Sequence, residues 1–236
     1  MIDIKNKKAI FFDFGDTIAS TVPTYPDRIR IALCEIGFEF TEKQYFRAFQ
    51  YADYIIYKEY FDDQIISSAI YQKKIISIIL RELGINMETG KAWNHINRKM
   101  AKSGFKRKLL PGAEELLKDL SKSGFKLAVI SNNDGKTAGK CEQLGIAKYF
   151  ELIIDSTNVN IIKPDKDIFL LASEKLGIDT KDILHIGDLY GADILGARNA
   201  GIDTIWINHK DGINYEGIKV IQVSNLLELS GLFKLT

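Results

Sequence analysis

Short apolar runs that end in polar residues recur along much of the chain. The first run covers Ala9 to Phe12 and leads directly into Asp13, with Gly15 two positions later. Unbroken apolar runs of this length, bounded by turn residues, are typical of strands buried on both faces of a sheet. We therefore predict a first strand over residues 8–14, with a carboxylate at its C-terminal end.

Helical periodicity alternates with similar apolar runs in the second half of the chain, after Leu110-Pro111-Gly112. Alternation of this kind predicts βαβ units, a parallel sheet and right-handed crossovers, so the fold class is α/β with a doubly wound parallel sheet. The predicted strands cover residues 126–131, 151–155, 182–188, 203–208 and 219–223. The predicted helices cover residues 113–123, 136–144, 167–176 and 193–200, with a short helix after Ser224.

Residues 25–104 have helical spacing of apolar positions and no convincing strand. Thr41 followed by Gln44 has the form of a helix N-terminal cap, and glycines follow several of the apolar stretches. The predicted helices cover residues 28–37, 41–61, 67–83 and 91–103. We predict a small helical bundle of residues 19–105, inserted into an α/β core of residues 1–18 and 106–236.

Composition narrows the functional classes. The chain has 236 residues, a formal charge of +1 and 46% hydrophobic residues, which is ordinary for a soluble globular protein. The balanced charge predicts no nucleic-acid partner, and no apolar stretch is long enough for a membrane span. The first residues lack the pattern of a signal peptide, and Cys34 and Cys141 suggest neither disulfides nor a zinc site. We expect a cytoplasmic protein.

Polar residues follow several of the predicted strands. Asp13 follows the first strand, Ser131 and Asn132 end the second, and Asp188 ends the fourth, with Asp193 five residues later. The C-terminal ends of parallel strands converge on one crevice, which is where open α/β sheets bind ligands. We therefore expect these side chains to meet although they are distant in sequence.

Three carboxylates in one crevice repel one another unless a cation lies between them. Oxygen ligands suit Mg²⁺, which typically retains waters and bridges to phosphate. Ser131 and Lys163, the latter in a Lys-Pro-Asp sequence before a predicted helix, offer a donor and a positive charge to a phosphoryl group. In such a site one carboxylate serves as the nucleophile, as in aspartyl-phosphate chemistry.

These motifs together resemble those of the haloacid dehalogenase superfamily. Four partial motifs occur in the order and spacing of that family across the whole chain, and the inserted helices resemble its type-1 cap. The matching segments are Asp13-Phe-Gly-Asp-Thr17, Ser131-Asn132, Lys163-Pro164-Asp165, and Gly187-Asp188 followed by Asp193.

The resemblance implies a Mg²⁺-dependent phosphatase that acts on a small phosphorylated metabolite. It implies that Asp13 is the nucleophile and that Asp188 binds the metal, with Asp193 ligating it directly or through water. The backbone carbonyl of Gly15 is the implied further metal ligand. Ser131 and Lys163 are implied to hold the phosphoryl group, and Asn132 is a further candidate for phosphate binding.

Gly15 departs from the family pattern. Phosphatases of the superfamily usually carry an aspartate at this position, which protonates the leaving group and then activates water. Without this aspartate the chain lacks the proton transfer that it provides, which typically accelerates the reaction by about 10²–10⁴-fold. Asp16 is the adjacent carboxylate, and it would reach the position of the missing acid only through a local bulge in the backbone.

The departure leaves several alternatives open. The chain could be a slow or substrate-assisted phosphatase, or a phospho-ligand binder without turnover. Haloacid dehalogenases also lack the second aspartate, but they use no metal and do not need Asp188 and Asp193. Phosphonate hydrolases use a cap lysine, for which Lys58, Lys73 and Lys74 are the candidates.

Purely structural roles compete with the catalytic ones for several of these residues. Asp188 and Asp193 could be a turn residue and a helix cap, and Thr17 is expected to be structural. His185 is expected to be a core histidine with a satisfied hydrogen bond. Most of the aromatic residues between 45 and 61 are expected to form the core of the bundle.

Overall fold

The computed structural model describes residues 4–60 and 68–233 of the chain. Ser67, the predicted start of the third helix, and Phe61, in the aromatic run, lie outside these ranges. The strands within them are β1 Ala9–Phe12, β2 Ala19–Val22, β3 Lys106–Leu109, β4 Lys126–Ser131, β5 Leu152–Asp155, β6 Ile183–Gly187, β7 Asp203–Ile207 and β8 Ile221–Val223.

Six of these strands form one parallel sheet in the order β5-β4-β1-β6-β7-β8. In register, Phe12 at the end of β1 lies between Val129 of β4 and Ile186 of β6. The order reverses at β1, since the chain proceeds from there to β4 and β5 on one side and to β6, β7 and β8 on the other. The predicted α/β class with a doubly wound parallel sheet is confirmed, and Asp13 follows the strand at its switch point.

The two faces of the sheet are covered by different helices because successive side chains of β1 point to opposite sides. Ile10 and Phe12 pack in the cluster that includes the helices Ala113–Lys122 and Leu226–Phe233, whereas Ala9 and Phe11 pack in the cluster that includes the helices Lys166–Leu176 and Gly196–Asn199. The helices of the described ranges are α1 Tyr25–Glu35, α2 Glu42–Glu59, α3 Ser68–Glu82, α4 Thr89–Lys102, α5 Ala113–Lys122, α6 Thr137–Gln143, α7 Ser156–Val159, α8 Lys166–Leu176, α9 Gly196–Asn199 and α10 Leu226–Phe233.

Helices α1 to α4 lie between β2 and β3 and bury their apolar residues against one another, with Leu33, Tyr45 and Ile79 fully buried. Thr41 forms the capping box with Gln44 that the sequence predicts. Strands β2 and β3 pair antiparallel where the chain enters and leaves this bundle. The boundaries at 18/19 and 105/106 lie close to that ribbon, and the division into two domains stays a prediction.

The helix predicted over residues 193–200 begins earlier than expected. A π-helical turn covers Tyr190–Leu195 and continues into α9, so Asp193 lies inside the turn and not at its start. The carboxylate of Asp53 on α2 accepts hydrogen bonds from the backbone N–H groups of Gly191 and Ala192. The first N–H groups of a helical turn have no partner within the turn. Here they donate to a carboxylate of the helical bundle, a contact that local sequence patterns do not reveal.

None of the helices in the described part of the chain combines the length and the apolar character that a bilayer span requires.

Candidate active site

The ends of β1, β4 and β6 bring the predicted site residues together at one edge of the sheet. Asp13 follows β1, Ser131 ends β4 and Asp188 follows β6. Lys163 precedes α8, and Asp193 lies in the π-helical turn. Asp13, Ser131, Lys163 and Asp193 are all buried, and the side chain of Asp193 is completely inaccessible.

Lys163 is the central cation of this cluster. Its Nζ donates hydrogen bonds to Asp13 Oδ1 at 2.7 Å, to Asp193 Oδ1 at 2.6 Å and to the carbonyl oxygen of Ile130 at 2.8 Å. Burial alone would lower the pKa of Lys163, but the two carboxylates outweigh it and raise that pKa. Lys163 therefore stays charged and compensates part of the negative charge of the cluster.

Asp193 is ionised although its side chain is completely buried. Burial raises its pKa, but the Lys163 ammonium and a contact with His185 Nε2 at 3.3 Å together hold that pKa below the usual range. The second oxygen of Asp193 accepts a hydrogen bond from the backbone N–H of Leu189 at 3.0 Å. Both oxygens are thus engaged by the protein, and the residue is ionised inside the core.

Asp188 has a different environment. Its Oδ1 accepts a hydrogen bond from Thr17 Oγ1 at 3.1 Å, and no cation of the described residues forms an ion pair with it. Burial, followed by repulsion from Asp13 and Asp193, raises the pKa of Asp188 well above its usual value. Burial also raises the pKa of Asp13 to about 6, against the opposing effect of Lys163.

The three carboxylates fit a hard metal ion. One ligand oxygen from each of Asp13, Asp188 and Asp193 lies within 4.8 Å of the others. Three carboxylates and one lysine leave excess negative charge in a buried place, and oxygen donors are what Mg²⁺ prefers. Of the three carboxylates, Asp188 has the least compensation of its negative charge by nearby groups of the protein. A cation beside it would offset the cost of removing this charge from water.

Asn132 holds the loop that carries Lys163. Its Oδ1 accepts a hydrogen bond from the backbone N–H of Lys163, and its Nδ2 donates one to the Lys163 carbonyl, each at 2.8 Å. Both ends of the amide are therefore used to place the lysine backbone. Phosphate binding by Asn132 stays a prediction, and the structure shows this positioning contact instead.

A cavity of about 520 Å³ opens over this cluster, between the sheet edge and the helical bundle. Asp13, Ser131, Lys163 and Asp188 form part of its polar wall. Ser131 is buried, and its hydroxyl forms no hydrogen bond with the described residues, so it remains available to a ligand. This cavity has the size and the mixture of apolar and polar lining that are usual for a small-molecule site.

Gly15 lines the same cavity. A Cβ built on it would meet no atom within 4 Å, and its φ is outside the left-handed region, so a side chain would fit there. The neighbouring Asp16 adopts a left-handed conformation with φ of 55°. Its side chain accepts a hydrogen bond from Ser20, and its carbonyl oxygen lies 2.6 Å from His209 Nε2.

Two buried residues of the site neighbourhood were missed or underestimated in the sequence. His185 was expected in the core, and its Nε2 contact with Asp193 ties it to the site, although its Nδ1 has no partner among the described residues. Asp53 was not predicted at all. It occupies the buried face of α2, with Phe49 four residues before it and Ile56 three residues after it. The sequence signal for Asp53 was an acidic residue at a position where the helical periodicity of α2 places apolar residues.

The candidate lysines of the bundle do not reach the cavity. Lys58 pairs with Glu216 at 3.2 Å, and Lys74 pairs with Glu59 at 2.9 Å. The ammonium of Lys73 lies 6.0 Å from the ring centroid of Trp93. None of the three lines the cavity among the described residues.

Comparisons with known proteins agree with this geometry. Residues 10–207 match the family described as haloacid dehalogenase-like hydrolase. The chain is 37% identical to pyrimidine 5'-nucleotidase YjjG of Escherichia coli over 126 residues, which is 52% of this chain and 56% of that protein. It is 28% identical to glyceraldehyde 3-phosphate phosphatase of Methanopyrus kandleri over 206 residues, covering 85% of this chain and 83% of that protein.

The same fold is found in a solved structure. The magnesium-bound crystal structure of the HAD-hydrolase YfnB from Bacillus subtilis superimposes with a TM-score of 0.66 at 22% identity, covering 97% of this chain and 99% of that one. The alignments with several curated relatives are partial, and the chain spans 40% and 56% of the length of two of them.

Proposed function

Because the chain belongs to the haloacid dehalogenase-like hydrolase family, we propose that it is a Mg²⁺-dependent phosphatase of small phosphorylated metabolites. The observation that carries the proposal is the cluster of Asp13, Asp188 and Asp193. Lys163 pairs with two of these carboxylates, those of Asp13 and Asp193, beside the polar wall of the cavity. The relatives named as a nucleotidase and as a phosphatase support the reaction class. We also propose that the protein acts in the cytoplasm.

Asp13 is assigned as the nucleophile. Its carboxylate oxygen attacks phosphorus, the P–O bond to the leaving group breaks, and an aspartyl-phosphate forms. The departing alkoxide takes its proton from water, since Gly15 has no acidic side chain. Lys163 and the free hydroxyl of Ser131 bind the oxygens of the transferring phosphoryl group. Water then cleaves the aspartyl-phosphate, which releases inorganic phosphate and regenerates the carboxylate.

Asp188 and Asp13 are assigned to hold Mg²⁺, with the Gly15 carbonyl and, directly or through water, Asp193 completing the protein ligands. When bound, the ion neutralises the carboxylates and the phosphoryl oxygens and keeps the nucleophile ionised. Lys163 keeps Asp193 ionised, and Asn132 keeps the backbone of Lys163 in place.

The experiment measures phosphate release from a panel of phosphorylated metabolites, in Mg²⁺ and in EDTA. We expect turnover that requires both the metal and Asp13, and that is lost in Asp13→Asn. Asp179→Asn, which replaces an exposed aspartate away from the cavity, is the matched control. Turnover that survives in Asp13→Asn would contradict the assignment of the nucleophile.

A second candidate function is a phospho-ligand binder without turnover, and the observation that favours it is the missing side chain at Gly15. Because a side chain fits at this position, Gly15→Asp is a direct test, with Gly15→Asn as a control of the same size without proton transfer. An inactive wild-type protein with an active Gly15→Asp variant would favour the binder. Measurable wild-type turnover that depends on Asp13 would favour the phosphatase.

The phosphonate alternative has less support, because no bundle lysine of the described residues faces the cavity. The haloacid alternative leaves the half-buried carboxylate of Asp188 without a role.

A further inference from the structure

Two arginines from different elements meet at one wall of the cavity. Arg28 belongs to α1 of the bundle, and Arg107 belongs to β3 of the ribbon. Their guanidinium carbons lie 4.4 Å and 5.6 Å from the centroid of the same ring, that of Phe105. All three residues line the cavity that contains Asp13 and Lys163.

Neither guanidinium has an anionic partner in the part of the chain that the structure describes. Within the described ranges, neither Arg28 nor Arg107 forms an ion pair within 4.0 Å or donates a side-chain hydrogen bond, and Arg28 Nε is buried without any acceptor. The nearby carboxylates are otherwise engaged, since Asp16 accepts from Ser20 and Asp27 from Arg30. Two like charges that share one aromatic ring repel each other unless an anion lies between them.

Tyr71 of α3 adds an unsatisfied polar group to the same cavity. The residue is only 6% exposed, and its hydroxyl has no hydrogen-bond partner among the described residues. Buried hydroxyl groups normally have a partner, so a lone one in a ligand cavity calls for an explanation. The cavity thus contains donors in excess of those that a phosphoryl group at Ser131 and Lys163 would use.

We propose that the cavity selects phosphomonoesters whose leaving group carries a second anionic group, bound by Arg28 and Arg107. Arginine recognises carboxylate and phosphate through paired N–H donors, and the Phe105 ring holds both guanidinium planes in place. The Tyr71 hydroxyl supplies an additional donor. The proposal rests on the proposed phosphatase function, since Asp13 and Lys163 receive the phosphoryl end of the same molecule.

The test measures binding, so that it does not depend on turnover. The Asp13→Asn variant, which lacks the proposed nucleophile, is titrated calorimetrically in Mg²⁺ with two matched pairs of probes. One pair is 3-phosphoglycerate and glyceraldehyde 3-phosphate, which differ by a carboxylate in place of an aldehyde. The other is fructose 1,6-bisphosphate and fructose 6-phosphate. We expect the member with the additional anionic group to bind about tenfold or more tightly in at least one pair, and the pair that responds tells a carboxylate from a phosphate.

Variants in the Asp13→Asn background assign the effect. Arg28→Gln and Arg107→Gln should each reduce the preference to about twofold or less, because hydrogen bonds to a charged group are lost. Arg107 is partly exposed and belongs to β3, so Arg107→Gln leaves the packing of α1 intact. This variant therefore tests the proposal even if Arg28→Gln does not fold. Arg98→Gln, an exposed position of α4 outside the cavity, should keep the full preference.

Equal affinity within both pairs would overturn the proposal, as would a preference that survives both arginine replacements. Failure of the phosphatase function appears separately, as absent phosphate release by the wild-type protein, while the binding preference remains measurable.

Discussion

The ammonium of Lys163 lies 2.7 Å from the carboxylate of Asp13, although the two residues are 150 positions apart. The same ammonium reaches Asp193, so one lysine compensates two buried carboxylates. Removing one partner of a buried ion pair leaves the remaining charge unpaired in a medium that solvates it poorly. The stability of the core and the chemistry of the site therefore depend on the same side chain.

Replacing this lysine should destabilise the protein strongly. We expect Lys163→Met to lower the free energy of unfolding by about 3–5 kcal/mol at pH 7, because two buried carboxylates lose their cation. Lys140→Met is the comparison, since Lys140 is also buried but pairs at 2.5 Å with the largely exposed Asp134. Urea unfolding measures both. Equal losses for the two variants would show that the buried position of Asp13 and Asp193 is unimportant.

The absence of a side chain at Gly187 gives Asp193 its place. A Cβ at this position would lie 2.4 Å from Asp193 Cγ, so Gly187→Ala must displace the carboxylate. We expect a loss of about 1–3 kcal/mol in stability and a decrease of about tenfold or more in phosphate release. Gly139→Ala in α6, where a Cβ meets nothing within 4 Å, should be neutral or stabilising. Full activity in Gly187→Ala would contradict the need for this placement.

The hydrogen bond from Thr17 to Asp188 should support metal binding. Thr17→Val removes the donor and leaves the half-buried carboxylate without it, so we expect a loss of about 1.5–3 kcal/mol in stability and weaker Mg²⁺ binding by calorimetry at pH 7. Thr204→Val is the matched control, because Thr204 is equally buried and its hydroxyl has no partner among the described residues. A similar Mg²⁺ affinity in wild type and Thr17→Val would rule out this role.

Asp53 should make the stability of the protein depend on pH. Burial raises its pKa to about 7, although the N–H groups of Gly191 and Ala192 oppose the shift. The unfolded chain releases this proton near pH 4, so between about pH 4 and 7 the folded protein holds a proton that the unfolded chain has lost. The contribution of Asp53 to stability is therefore greatest at low pH, falls as the pH rises through this window, and is constant above it.

The variant Asp53→Asn lacks this titration. Relative to wild type, it should gain up to about 4 kcal/mol in the free energy of unfolding as the pH rises from 4 to above 7. Urea unfolding of both proteins across this range, in EDTA, is the measurement. Parallel profiles would mean that Asp53 is not titrating there.

Several features of the protein follow from local sequence. The strands were predictable because apolar runs such as 9–12 and 126–131 must be buried on both faces, and their order implied parallel crossovers. Asp13, Ser131 and Asp188 could be placed at one edge because each ends or follows such a strand. Thr41 and Gln44 identified a helix start, since a capping box involves only neighbouring residues.

Other features were decided only by the tertiary structure. The sequence did not show that Lys163 pairs with two carboxylates or that Asn132 binds the backbone of Lys163. It also did not show that Asp53, on α2, accepts hydrogen bonds from the first N–H groups of the π-helical turn. Nor did it show that Arg28 and Arg107 both lie near the ring of Phe105. Periodicity reports which face of an element is buried, whereas contacts between distant elements depend on how the bundle packs on the sheet, and packing has no local signature.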